Sequence, residues 1–202
     1  MNRALAVLFC FVLAACAPKP VVSSRATDWR VATTNHDRER LRDWRASFVK
    51  ALEQARAAGH AGEIDAEGVL LQPDAALGGP IPNGDYRCRV IKLGAKSPGM
   101  LEYVAYPAFS CRVQQDQKVQ TFAKLTGSQR PVGLIFPGDA LRQVFLGTMM
   151  LGDEVRAMQY GNDPDRDLIG FVERIGQARW RMVFPRPAFE STLDVIELVP
   201  AT

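Results

Sequence analysis

The chain has 202 residues, 47% hydrophobic and 23% charged, the proportions of an ordinary globular protein with room for a real core. Its formal net charge of +3, from 19 arginines and 6 lysines against 22 carboxylates, is too small to argue for nucleic acid or another polyanion as partner. Two histidines and four cysteines, without CxxC or HxxxH spacing, give no reason to expect a metal, and no cofactor motif is present.

The chain opens as an export signal. Arg3 is the positive start, and Ala4 to Leu13 is an unbroken apolar run, short of the about 20 residues that a membrane-spanning helix needs. The run ends in Leu13-Ala14-Ala15-Cys16, which resembles the lipobox of bacterial lipoproteins. That resemblance implies lipid attachment at Cys16 and cleavage before it, with more than one acyl chain for stable anchoring. An ordinary secretory signal with an incidental Cys16 is the alternative. Ala17, rather than an aspartate, follows the cysteine, so outer-membrane delivery facing the periplasm is expected. Residues 1–15 are then signal peptide, 16–33 a lipidated tether rich in Pro, Ser and Thr, and 34–202 one globular domain.

A helix is predicted over 34–58. Thr34 with Asp37 three residues on resembles a capping box, and Leu41, Trp44, Phe48, Ala51, Leu52 and Ala55 recur at helical spacing. Gly59 can close the helix. His36 and His60 flank it about 36 Å apart, too far to share a metal or a proton. Residues 59–84 read as a linker with at most one short turn between Gly62 and Leu71, then a Pro/Gly loop.

From residue 85 to 199 the pattern is short β-like runs divided by turn residues. They are Tyr86–Leu93, Leu101–Val113, Val119–Leu125, Val132–Phe136, Leu141–Leu151, Val155–Tyr160, Leu168–Ile175, Arg179–Phe184 and Leu193–Val199. Short connections favour an antiparallel meander, and this many strands curl into a small barrel or a highly curved sheet. The predicted class is α+β: an N-terminal amphipathic helix packed on seven to nine mainly antiparallel strands.

Two cysteines remain once Cys10 in the leader and Cys16 are set aside: Cys88 and Cys111. A turn at Pro98-Gly99 would place Cys88 opposite Cys111, Tyr86 opposite Val113 and Val90 opposite Phe109, all on one face. In an oxidising compartment that pair is expected to bridge; two free buried thiols are the alternative. Closing the loop would stabilise by about 3.4 kcal/mol on the chain-entropy model. The same register sets Arg87 against Arg112 and Arg89 beside Ser110 on the other face. Those three arginines are a candidate anion patch, unless a neighbouring acid or plain solvation offsets them.

Catalytic constellations are scarce. No GxSxG elbow, HExxH or phosphate-binding loop occurs. Ser128, four residues after Lys124, could act as a nucleophile with a lysine base, or simply form a tight turn. Asp163-Pro164-Asp165-Arg166-Asp167 begins like a calcium loop but has Leu168 and Arg174 where glycine and a carboxylate are required.

The stretches "DRERLRDWR", "GDYRCRVIKLG", "KLTGSQRPVG", "FLGTMMLGDE", "YGNDPDRDLIGFVERIG" and "RWRMVFPRPAFESTLDVIELVP" are similar to the bacterial family termed domain of unknown function 4893. The resemblance runs from about Asp28 to Leu198 and implies a single domain and an envelope address, but assigns no activity or site residue. Gly84-Asp85-Tyr86 also resembles the Gly-x-aromatic opening of lipocalin-like barrels. The expectation is a lipid-anchored envelope protein, non-enzymatic, binding a small apolar or anionic ligand or a partner protein. A structural or assembly lipoprotein, or a hydrolase using Ser128, are the alternatives.

Overall fold

A computed structural model describes residues 27–201. The expected signal peptide, Cys16 and most of the expected tether lie outside the described residues. Where the tether was expected to run on to residue 33, a one-turn helix, α1 (Trp29–Ala32), is present, capped by the Asp28 side chain accepting from the Arg30 amide.

The predicted 34–58 helix begins and ends as expected but is two helices. Thr34 Oγ1 accepts the Asp37 amide at 3.2 Å and starts α2 (Asn35–Arg42). Asp43, at φ −91° and ψ 13°, ends α2 and begins α3 (Trp44–Ala57). The break re-aims the apolar stripe. Leu41 meets one hydrophobic cluster, with Leu134, Phe136 and Ile169, while Phe48, Ala51 and Ala55 meet another. Periodicity could not reveal this, because the apolar spacing runs through the kink without interruption. Gly59, at φ 98°, closes α3, and the His60 amide reaches back to the Ala55 carbonyl at 3.0 Å.

The linker is more structured than its composition suggests. It holds α4 (Ala61–Glu67) and a 3-10 turn (Gly68–Leu71). Neither sequence is a strong helix former, with Gly62 and Gly68 among its residues; burial of Ile64, Leu70 and Leu71 supplies the missing stability. Arg181 then holds the end of the turn, donating to the carbonyls of Leu70 and Gln72 at 2.7 Å each while pairing with the buried Glu173.

Nine strands follow: β1 (Gly84–Ala95), β2 (Tyr103–Ala105), β3 (Phe109–Asp116), β4 (Val119–Lys124), β5 (Gln129–Phe136), β6 (Arg142–Leu151), β7 (Asp167–Gly176), β8 (Arg179–Pro185) and β9 (Ser191–Pro200). Neighbours pair antiparallel from β3 to β9, and β1 joins β3 on one side and β9 on the other. Eight strands thereby close into a barrel, with β2 as a ninth. The run predicted as one strand, Leu101–Val113, is divided, because Pro107 has no N–H to give a ladder. β2 therefore takes the far half of the β1 edge and β3 the near half. The predicted strand Val155–Tyr160 is absent: this stretch is irregular, and Val155 is 90% exposed.

Strand alternation sorts side chains between lumen and outer face. Cys88, Cys111, Phe122, Phe145, Met182, Phe184, Ile196 and Leu198 form one cluster in the lumen. Ile91, Leu93, Val183 and Val195 point outwards and meet α3. Each large apolar side chain so buried is worth about 1.5–3 kcal/mol. Gly133 and Gly147 face each other across β5 and β6, where a side chain on either would strike the opposite backbone and the Phe145 ring.

The disulfide is present, with Cys88 and Cys111 buried and their Cα atoms 5.9 Å apart. The register that led to it is corrected. Tyr86 pairs with Cys111 and Cys88 with Phe109, so the two cysteines are diagonal neighbours rather than opposed. The Pro98-Gly99 turn does not set this pairing, because β2 and Pro107 intervene between the turn and β3. A slip of two residues preserves the face of every side chain, which is why the bridge survives. Arg87 consequently lies opposite Ser110, and Arg112 opposite Asp85, not opposite Arg87.

Candidate binding site at the barrel mouth

The barrel lumen is open at one end. At the open end, a cavity of about 160 Å³ enters the lumen between the last residues of β4, β6 and β8 and the first of β3, β5 and β9. Its body is apolar: Val90, Phe109, Met149, Leu168, Phe184 and Ile196. Two lysines stand on this lining. Lys92 follows Tyr86, Cys88 and Val90 in the inward phase of β1, and Lys124 follows Phe122 in that of β4. Both are at least 95% buried.

Their surroundings differ. Lys92 Nζ meets Asp194 Oδ2 at 2.9 Å and Glu190 Oε2 at 3.3 Å. Burial opposes its charge, but the two carboxylates, Asp194 foremost, hold it above the ordinary lysine value. Asp194 also accepts from Ser191 Oγ. Lys124 has no such partner: among the described residues no carboxylate pairs with it. Its Nζ donates to the carbonyls of Thr126 and Gln129 at 2.8 and 2.9 Å and lies 3.5 Å from the centre of the Phe109 ring. Burial, then repulsion from Arg130 and Lys92, push Lys124 down to about 8. Glu190, at φ 66°, occupies the left-handed region that non-glycine residues seldom adopt, and holds the rim through Gln129 Nε2 at 3.4 Å. The mouth thus presents one uncompensated cation above an apolar floor.

The sequence-predicted site residues are dispersed. Arg87, Arg89 and Arg112 lie on the outer face. Arg89 is clasped by Glu67 at 2.7 and 2.5 Å and by Glu197 at 3.0 Å, while Arg112 pairs with Asp85 at 2.5 Å. Only Arg87, exposed, has no acidic partner among the described residues. Ser128 is exposed on the rim of the cavity, and no hydrogen bond joins it to Lys124. Asp163 accepts the Asp165 amide at 3.0 Å as part of a turn. His36 is exposed, and His60 stacks on Tyr103 with 5.6 Å between ring centres. Among the described residues no three metal-ligating side chains converge. Lys92, Glu190 and Asp194 were not singled out from the sequence, and Lys124 was named only as a base for Ser128, although two lysines in the inward phase of otherwise apolar strands were a readable signal.

These features define a small closed antiparallel barrel with one open, lysine-bearing mouth and a helical layer on its outer face. Residues 29–198 match the family model described as a domain of unknown function (DUF4893), and the chain belongs to that family. No curated protein and no solved structure matches it.

Proposed function

We propose that this chain is a lipid-anchored binding module of the cell envelope whose barrel mouth takes a small anionic ligand with an apolar body. The observation that carries the reading is Lys124, buried without a carboxylate partner in a cavity whose body is apolar, while Lys92 on the same lining is already paired with Asp194 and Glu190. Burying a lone charge is costly unless something pairs with it, and a ligand carboxylate would supply the pairing. The size fits a small occupant: an engineered cavity of about 150 Å³ holds benzene. The lipobox-like leader, and a disulfide of the kind that persists in oxidising compartments, support the envelope address. Absence of a bond between Ser128 and Lys124 favours binding over hydrolysis, which needs the nucleophile within reach of its base.

Benzoate is a suitable probe, with benzyl alcohol as its neutral counterpart. Titration of the full-length protein in detergent should give saturable benzoate binding at least about tenfold tighter than that of the alcohol, a difference of about 1.4 kcal/mol. Lys124→Met should remove that preference. Equal binding of both probes, or an unchanged preference in the variant, would refute the reading; a purely structural lipoprotein would bind neither.

A further inference from the structure

A second, larger concavity lies outside the barrel, and no residue lines both it and the mouth. It runs between α2 and α3 on one side and the 186–188 segment after β8 on the other, with a volume of about 1040 Å³. Its lining is basic: Arg40 from α2, Lys50 from α3, Lys96 from beyond β1, and Arg186 after β8. Asp43 and Asp165 are the acids among its lining residues. Asp43 is 3.6 Å from Arg186, and no carboxylate pairs with Lys50 among the described residues.

Arg40 distinguishes this groove from a merely solvated basic surface. It is 2% exposed. Nε donates to the Pro185 carbonyl at 3.1 Å, and Nη1 to Asp37 at 2.8 Å and the Asp167 carbonyl at 3.1 Å. Nη2 is buried and has no partner. A buried guanidinium nitrogen left without an acceptor loses the free energy of a charge-assisted hydrogen bond. The other cations crowd the same place. Lys96 Nζ is held by the Pro187 and Ala188 carbonyls. Burial, Arg40 and Arg186 together lower its affinity for a proton against the pull of Asp165 and Asp194. Arg186 sits at φ 48°, a left-handed conformation for a non-glycine residue.

We propose that this groove is a phosphate-group site, in which Lys50, Lys96 and Arg186 surround the phosphate oxygens and Arg40 contributes its charge from the groove wall. Cations arriving from both helices, from beyond β1 and from the segment after β8 suit a tetrahedral anion better than a planar carboxylate, which is satisfied from one side. The phosphate could be free or belong to a phospholipid headgroup; the chemistry of the site is the same.

The test uses full-length protein in detergent with three probes: inorganic phosphate, dihexanoyl phosphatidic acid and dihexanoyl phosphatidylcholine. Saturable binding of inorganic phosphate and phosphatidic acid with equal affinity identifies the free group as sufficient. Phosphatidic acid binding at least about tenfold tighter than phosphate, with phosphatidylcholine weaker than both, identifies the lipid headgroup. Because Arg40 also ties α2 to the barrel, Arg40→Ala is paired with Lys50→Ser/Arg186→Ser, which alters only groove-lining side chains outside the barrel core. The double variant should melt like the wild type and bind each anionic probe at least about tenfold more weakly. Absence of saturable binding to either anion by the wild type, or undiminished binding by a folded double variant, would overturn the proposal.

Discussion

Lys124 Nζ lies 3.5 Å from the centre of the Phe109 ring, on the far side of β1 and β3 from the arginines Arg87 and Arg112. The ring's negative face and two backbone carbonyls are its surroundings in place of a carboxylate.

That placement has a pH signature. Lys124 is pushed from 10.5 to about 8 in the folded chain, so between these values the unfolded chain binds the proton more readily. Stability should therefore rise as pH increases from about 8 to 10.5, and this increment should vanish in Lys124→Met. Binding of a carboxylate probe should weaken over the start of the same interval, as the ammonium loses its proton. Chemical denaturation and titration at matched pH values check both slopes. A binding curve flat across pH 7 to 9 would contradict the assignment.

Asp167 has the opposite sense. Burial, with Asp37 and Asp163 nearby, raises it from 3.8 to about 6, although the Gly161 amide donates to its carboxylate. A carboxyl raised on folding binds its proton more readily in the native state, so stability should fall as pH rises from about 4 to 6 and then level. Asp167→Asn, which keeps an acceptor for Gly161, should be the more stable protein at pH 7, with the difference shrinking toward pH 4. Urea midpoints across that range decide it.

Removing the disulfide with Cys88→Ala/Cys111→Ala should cost about 3 kcal/mol, on the order of 6–12 °C in Tm for a chain of this size. Both sulfurs are buried in the lumen, so a mild reductant should act slowly on the folded protein and quickly in denaturant. Non-reducing peptide mapping that recovers both cysteines alkylated would contradict the bridge.

Arg181→Met should destabilise by about 3–5 kcal/mol, because it strands the fully buried Glu173 and frees the carbonyls of Leu70 and Gln72. Arg142, which also pairs with Glu173 at 2.6 Å, offsets part of that charge. Adding Glu173→Gln to the variant should recover part of the loss. Denaturant midpoints of the single and double variants measure the coupling.

Cys16→Ser should release the protein from membranes in detergent-free extracts. A variant that still sediments with membranes after a salt wash would refute lipid anchoring at that residue.

The order of elements was legible in the residues because it rests on local physics. Thr34 and Gly59 cap a helical stripe, eight of the nine predicted runs hold strands, and setting aside Cys10 and Cys16 of the expected leader leaves Cys88 with Cys111. Local pattern was also what misled at Val155–Tyr160, where alternation occurs without a partner strand, and at Leu101–Val113, where Pro107 breaks a run that looks continuous. The lysines of the mouth had a local trace, their inward phase in β1 and β4, but nothing local says which of them meets a carboxylate. That depends on Asp194 and Glu190, about a hundred residues beyond Lys92 and set beside it only by the closure of β1 on β9. The groove around Arg40 is likewise assembled from α2, α3 and the segment after β8, elements that no spacing rule connects. Sequence alone determined the N-terminal helical stripe and most of the strands, since caps, turns and side-chain period act over a few residues. Tertiary structure decided the β1–β3 register, the kink at Asp43 and which charges remain unpaired, because each follows from contacts between segments far apart in the chain.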